Sequence, residues 1–441
     1  MRLALWGGAL LVGLLATFFA STSEHANSLF ADMLKISPWL PLIVTPGGLI
    51  LVAWLTQRFF QGSQGSGIPQ ALAALETPAS EGLRQQVLSV RVAVGKIILT
   101  LLGLFSGASI GREGPTVHIG AAIMYNMGKW MRFPPHYMEK ALILSGGAAG
   151  IAAAFNTPLA GVVFAIEEIA RSFEERTNGI VVTAVIFAGM TSLVVLGNYN
   201  YFGVTSASLE HYTDWLAVPV CAVVGGLLGG LFSQILISGS KRLAPLMKRH
   251  PLLVAGACGL VVAIVGIASG GLGFGTGYNE AKSIVMMTGD VNPGYPFFKF
   301  LASVASYLSG IPGGIFAPSL ATGAGLGADL SILFPNTPAD AVVILGMVAY
   351  FAGVVQTPIT SFVIVMEMTD NHGMLLPLMA TAFIAHGVSR LVCHEPIYQA
   401  LSRSFMSPAT AEAAERRERE LEELEEAAEA EADQGEVEKQ P

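Results

Sequence analysis

Apolar positions along the chain gather into long runs instead of alternating with polar ones. Leu3 to Ala20, Leu40 to Leu55, Val90 to Phe105, Ile180 to Leu196, Leu216 to Ile237 and Leu252 to Ala268 carry few or no charges. Each is long enough to cross, or nearly cross, a hydrocarbon core of about 30 Å as a helix. The first run follows Arg2 and ends in Ala20, Ser21 and Thr22, a pattern shared by cleaved signal peptides and first membrane helices. More membrane segments follow it, with no secreted soluble domain to deliver, so a membrane helix is the favoured reading.

Glycine and proline break these segments at related places. Asn156 to Glu167 (NTPLAGVVFAIE) resembles Gln356 to Glu367 (QTPITSFVIVME) at an offset of 200. Gly111-Arg112-Glu113-Gly114-Pro115 and Gly314-Ile315-Phe316-Ala317-Pro318 share a Gly-x-x-x-Pro frame, and Gly65-Ser66-Gly67 is echoed by Gly275-Thr276-Gly277. Three matches in order at a near-constant offset indicate an internal duplication. In such a membrane protein the binding site is expected where the interrupted segments of the two halves meet.

Each interruption also has the chemistry of a helix start. Glycine allows close backbone approach, and proline in the first turn gives up a donor that would be unpaired anyway. This holds for Gly65-Ser66-Gly67-Ile68-Pro69 as for the stretches at 111 and 314. Alone, each loop could be a packing turn. Several helix N-termini converging inside a membrane would instead make a dehydrated anion site with no bound basic side chain.

Composition agrees with a lipid-embedded chain. Of 441 residues, 52% are hydrophobic and 13% charged, with 50 glycines and 23 prolines for close contacts and broken helices. Cys221, Cys258 and Cys393 have neither disulfide nor metal-ligand spacing, and no metal or cofactor is expected. Ala409 to Pro441 holds thirteen acidic and four basic side chains, a net of −9 against −8 overall, so the membrane body carries about +1. The acidity belongs to a tail, with a solvated helix expected around Glu412 to Glu429.

Within that weakly charged body, Glu113 stands out. Apart from Arg112, no charge falls between Lys96 and Lys129, and an ionisable group in a membrane segment is a functional candidate by default. Burial opposes its ionisation while helix N-termini favour it, so it could alternate between an anion filling the anion site and a neutral group leaving it. A salt bridge with Arg112 is the structural alternative, disfavoured because adjacent helical residues do not face each other. Glu167 and Glu168 close an apolar run beside Arg171, Glu174, Glu175 and Arg176, as at a solvated helix end, and at most one of the pair should line a path. His118 fits a packing histidine better than a proton relay. Lys96 could snorkel or lend positive potential to an anion path.

These loops in combination resemble the CLC family of chloride channels and chloride/proton exchangers, over nearly all of residues 1–405. Gly65 to Pro69, Gly111 to Pro115 and Gly314 to Pro318 stand where that family has its three anion-selectivity stretches. The resemblance implies that Ser66 Oγ, the amides of Ile315 and Phe316 and the hydroxyl of Tyr398 bind the central anion. It likens Glu113 to the external gating glutamate, Glu168 to the internal proton-transfer acid and Lys96 to a buried family lysine. It also implies an all-α polytopic membrane protein with two inverted-topology repeats (about 1–200 and 212–405), whose tilted and partial helices meet at the bilayer midplane. An acidic cytoplasmic tail (406–441) follows, too short for paired nucleotide-sensing domains, as in prokaryotic members. The protein is then expected as a homodimer with one pore per subunit in the cell inner membrane, both termini cytoplasmic.

By the same resemblance the substrates are chloride and protons. The chloride-like Gly-Ser-Gly-Ile-Pro stands against fluoride, and nitrate stays open. A passive chloride channel gated by Glu113 is the alternative to exchange. A membrane enzyme lacks any His-Glu-x-x-His or paired-aspartate constellation, and nucleic-acid binding lacks a basic stripe.

Overall fold

The apolar runs all become helices. In the computed structural model, which describes residues 2–77, 82–132, 137–170, 175–197, 200–289 and 292–416, the helices in the first half are α1 (Arg2–Ile36), α2 (Pro41–Phe59), α3 (Ile68–Glu76), α4 (Leu83–Val87), α5 (Val90–Phe105), α6 (Glu113–Trp130), α7 (Tyr137–Phe155), α8 (Pro158–Phe164) and α9 (Glu175–Leu196). The second half holds α10 (Ala217–Arg249), α11 (Pro251–Ala268), α12 (Tyr278–Val285), α13 (Tyr295–Leu308), α14 (Phe316–Ser331), α15 (Ala339–Val355), α16 (Pro358–Thr369), α17 (Leu375–Val392) and α18 (Ile397–Ser402). Among the described residues, seven helical segments are long and apolar enough to span a membrane. The first run does not stop at Ala20. It continues through Ser21 and Thr22 as one helix, packed on α5, α6, α7 and α9.

The duplication is visible in the order and lengths of the helices. The 35-residue α1 answers to the 33-residue α10, and the 9-residue α3 to the 8-residue α12. Asn156 follows the end of α7 and Gln356 the end of α15, both in the left-handed region at φ 57° and 58°. Packing repeats as well: α6 lies on α7 as α14 lies on α15, and α1 on α9 as α10 on α17. Elements meeting their own counterparts (α2 with α11, α8 with α16, α6 with α14) bring the halves together.

The α6–α7 and α14–α15 crossings are backbone-close. A Cβ on Gly146 would meet the carbonyl of Gly120, and one on Gly346 the backbone of Gly327. Small residues at such contacts substitute for the missing hydrophobic drive between helices in lipid. Gly146→Leu and Gly346→Leu are therefore expected each to cost about 3 kcal/mol or more, because backbone cannot yield as a side chain does. Gly47, which has open space beside it, is the control. The readout is the yield of monodisperse protein and its melting temperature in detergent, and equal behaviour of Gly47→Leu and Gly146→Leu would refute the packing argument.

The Pro158 and Pro358 helices are joined by an exchange of caps. Glu167 accepts backbone hydrogen bonds from Ile359 (2.9 Å) and Thr360 (2.6 Å) in the first turn of α16, and Glu367 accepts from Leu159 (3.2 Å) and Ala160 (2.7 Å) in the first turn of α8. Each carboxylate satisfies orphan amides and meets the positive end of a helix dipole. Glu167 is thus not a solvated helix-end charge. Beyond α8 the chain winds into a π-helical turn, Ala165–Ala170, which carries Glu167 and Glu168, a form often found at functional sites. Arg171 and Glu174 lie outside the described residues. Residues 408–416 are helical, and the remainder of the expected tail helix, 417–429, also lies outside them.

Candidate functional site

The three Gly/Pro stretches converge as the sequence predicts. Gly111 N donates to Gly314 O and Gly314 N to Gly111 O, both at 2.7 Å, forming a two-residue antiparallel bridge between the repeats. Gly65 joins the second half through its N–H to Ile311 O (3.2 Å) and its carbonyl to Gly313 N (3.1 Å). The starts of α3, α6 and α14 are therefore hydrogen-bonded into one cluster. Glycine is required here on two counts. Gly67 has φ +105° and would place a Cβ 2.6 Å from the Cβ of His118, and a Cβ on Gly114 would collide with Ser66 Oγ. The bare α-carbons let the loops close. Ile68 and Pro69, and likewise Pro115 and Pro318, are buried in the first turns that follow.

Two lysines brace the loops. Lys96, fully buried on α5, donates to Gly65 O at 3.0 Å, which excludes snorkelling. Lys299 on α13, an offset of 203, is equally buried and donates to the carbonyls of Gly275 (2.7 Å), Phe274 (3.0 Å) and Gly273 (3.5 Å). Each repeat thus holds its Gly-x-Gly loop with an ammonium. His118 sits with Nε2 2.8 Å from Val87 O. That nitrogen must carry the ring proton, so the histidine packs α6 against the end of α4.

Glu113 opens α6 and is completely buried. Its carboxylate lies against the Gly111 α-carbon, with the backbone N–H groups of Glu113 itself and of Ala317, in the first turn of α14, directed at it. Tyr201 OH is 3.3 Å from Oε1. Arg112 does approach Glu113, contrary to expectation, because it is the N-cap and not a helical neighbour: its Nε lies 4.0 Å from Oε1. The guanidinium is shared with the Ala20 carbonyl and with Glu24, 3.2 Å away, and stands over the Tyr201 ring.

Near the glutamate, Ser66 Oγ and Tyr398 OH are fully buried and close enough to interact with each other, and neither hydrogen-bonds to any other described group. Tyr398 is no interfacial aromatic. It belongs to a cage around Phe316, whose ring meets Phe155, Phe164, Phe351 and Tyr398 at centroid distances of 4.9–6.2 Å. Two buried hydroxyls without further partners in an aromatic cage, beside Ile315 and Phe316 at the start of α14, suit a dehydrated anion. Glu168 is also buried, at 1% exposure, and lies near Tyr398. Tyr307, half-buried, also lies near Tyr398, and its hydroxyl is 3.6 Å from where a Gly65 Cβ would stand. A cavity of about 500 Å³ opens beside the Gly65 loop, lined by Gly62, Gln64, Gln86, Ser309, Gly310 and Ser404. Tyr201, Tyr307 and Lys299 escape a motif-based reading. Only Lys299 has a sequence signal, its 203-residue spacing from Lys96.

An all-helical, multi-pass membrane protein whose broken helices from two repeats aim their N-termini at one buried point is a transport architecture for anions. The family model described as voltage gated chloride channel matches residues 47–390. The chain is 31% identical to the H(+)/Cl(-) exchange transporter ClcA of Vibrio vulnificus (strain YJ016), covering 89% of this chain and 86% of that protein. It is 32% identical to the ClcA of Yersinia pestis bv. Antiqua (strain Angola), covering 84% and 81%. Among solved structures, a slow cyanobacterial Cl-/H+ antiporter aligns with a TM-score of 0.79 at 26% identity, covering 92% of this chain and 98% of that one. A CLC-type fluoride/proton antiporter shares the fold with a TM-score of 0.77 at 23% identity, covering 90% and 96%. The chain belongs to the CLC family of anion transport proteins, with that family's fold of two inverted repeats, and is not an enzyme.

Proposed function

We propose that this protein exchanges chloride for protons across the cell inner membrane. The observation that carries the reading is the position of Glu113, a buried carboxylate cradled by the first turns of α6 and α14. As an anion it occupies ground that chloride would hold; once protonated it loses its attraction to those helix ends and can leave. Chloride rests between Ser66 and Tyr398, on the amides of Ile315 and Phe316, and Glu168 receives the proton on the far side of Tyr398. Relatives named H(+)/Cl(-) exchange transporters favour exchange, and the chloride-like Gly65–Pro69 favours chloride over fluoride. The transport domain spans residues 1–405 in repeats of about 1–200 and 212–405, with the acidic tail 406–441 and both termini in the cytoplasm, assembled as a homodimer with one pore per subunit.

Purified protein in chloride-loaded liposomes tests this. An outward chloride gradient is expected to drive protons inward against their own gradient, and Glu168→Gln is expected to cut that proton movement by at least about tenfold while chloride still flows. Chloride flux that never moves protons uphill would make the protein a passive channel. Full coupling in Glu168→Gln would remove that residue from the proton route.

A further inference from the structure

We propose that Tyr201 is the latch of the Glu113 gate, a positioning residue whose phenol O–H donates to the carboxylate and holds it across the anion path. The inference rests on the gate reading above, and adds a residue that lies in none of the three Gly/Pro stretches.

Tyr201 lies on the connection between α9 and α10, 88 positions from Glu113, yet its hydroxyl reaches Oε1 at 3.3 Å. The ring is 3% exposed. It is fixed on several sides: edge-to-face with Phe155 (5.5 Å), Phe202 (5.0 Å) and Tyr278 (4.7 Å), with the Arg112 guanidinium 5.9 Å above it. Its backbone is fixed too, since Tyr278 OH donates to Tyr201 O at 2.9 Å and Phe202 N to Met368 O at 3.0 Å. Tyr278 is the first residue of α12, next to the Gly275 loop that Lys299 pins. The second repeat's Gly-x-Gly loop therefore supports the tyrosine pair over the gate instead of lining the anion site as its Gly65 counterpart does.

A buried phenol needs a hydrogen-bond partner, and phenylalanine would fill this aromatic cluster equally well. The hydroxyl is thus the informative atom. Facing Glu113 are Arg112 beside it, Tyr201 from the α9–α10 connection, the Ala317 amide from α14 and Tyr398 from α18. Glu24 of α1 lies behind Arg112, and Tyr278 of α12 behind Tyr201. Of the side chains in direct contact, Arg112 is fixed in charge and divides its donors among Ala20, Glu24 and Glu113. Tyr201 offers a neutral donor whose bond is worth more to the carboxylate than to the protonated acid, so it favours the closed gate while Glu113 is ionised.

The test is Tyr201→Phe in liposomes, with chloride and proton fluxes recorded over a series of pH values, alone and combined with Glu113→Gln. The single variant is expected to pass chloride about three- to tenfold faster near neutral pH, with the half-activation pH moved up by about half to one unit, since less stabilisation of the anion must be overcome by protonation. In the Glu113→Gln background the same change should do nothing further. An unchanged pH profile in Tyr201→Phe would overturn the latch, as would an equal effect of the phenylalanine with and without the carboxylate. If Glu113→Gln itself left both fluxes unaltered, the gate reading would fall first, so the two failures are distinguishable.

Discussion

Glu113→Ala is expected to abolish proton transport, by at least about two orders of magnitude, while chloride continues to pass and loses its dependence on pH. Alanine leaves the amides of α6 and α14 in place but removes the carboxylate they hold, so the anion site survives and the group that empties and fills it does not. The measurement is paired recording of chloride and proton flux from the same vesicles. A variant that still pumps protons uphill would place the shared step elsewhere. A variant that stops both ions would show the carboxylate to be part of the permeation path in its open form.

Lys96→Met should have the second largest effect, on affinity rather than coupling. The ammonium is buried and bonded to Gly65 O, one residue before Ser66. A charge within about 8 Å of a bound anion, at an effective dielectric near 20, contributes about 2 kcal/mol, so chloride binding by titration calorimetry should weaken by at least about tenfold. Methionine keeps the volume and cannot hydrogen-bond the carbonyl, which retains Gly313 N as a partner. Because the loop keeps that second bond, the folded yield should fall less than the affinity. Wild-type affinity in Lys96→Met would reduce the lysine to a brace.

Long spans were readable because lipid demands unbroken apolar runs: all six runs lie in helices, or begin one residue before one. The interior helices carry no such mark. Helices α15 and α16 are buried among other helices, and α3, α8, α12 and α18 are too short to cross anything, so only their glycine and proline starts betray them. Those starts located the candidate site, and the loops at Gly65, Gly111 and Gly314 do converge. What could not be read depends on which helices become neighbours. Glu167 looks like a helix-end charge until the first turn of α16 is placed beside it, and Arg112 reaches Glu113 only because the helix begins between them. Tyr201 belongs to no repeat pattern, and its aim at Glu113 follows from a connection whose course the apolar pattern leaves undefined.

The traded caps of Glu167 and Glu367 also bear on the order in which the molecule can be finished. Helix α8 is made early, but the carboxylate that caps it lies about 200 residues further along. At roughly 5–20 residues per second, that is a wait of about 10–40 s with the first-turn amides of α8 unpaired. The caps of both helices are therefore complete only once the two repeats are present together, and either half expressed alone is expected to lack them.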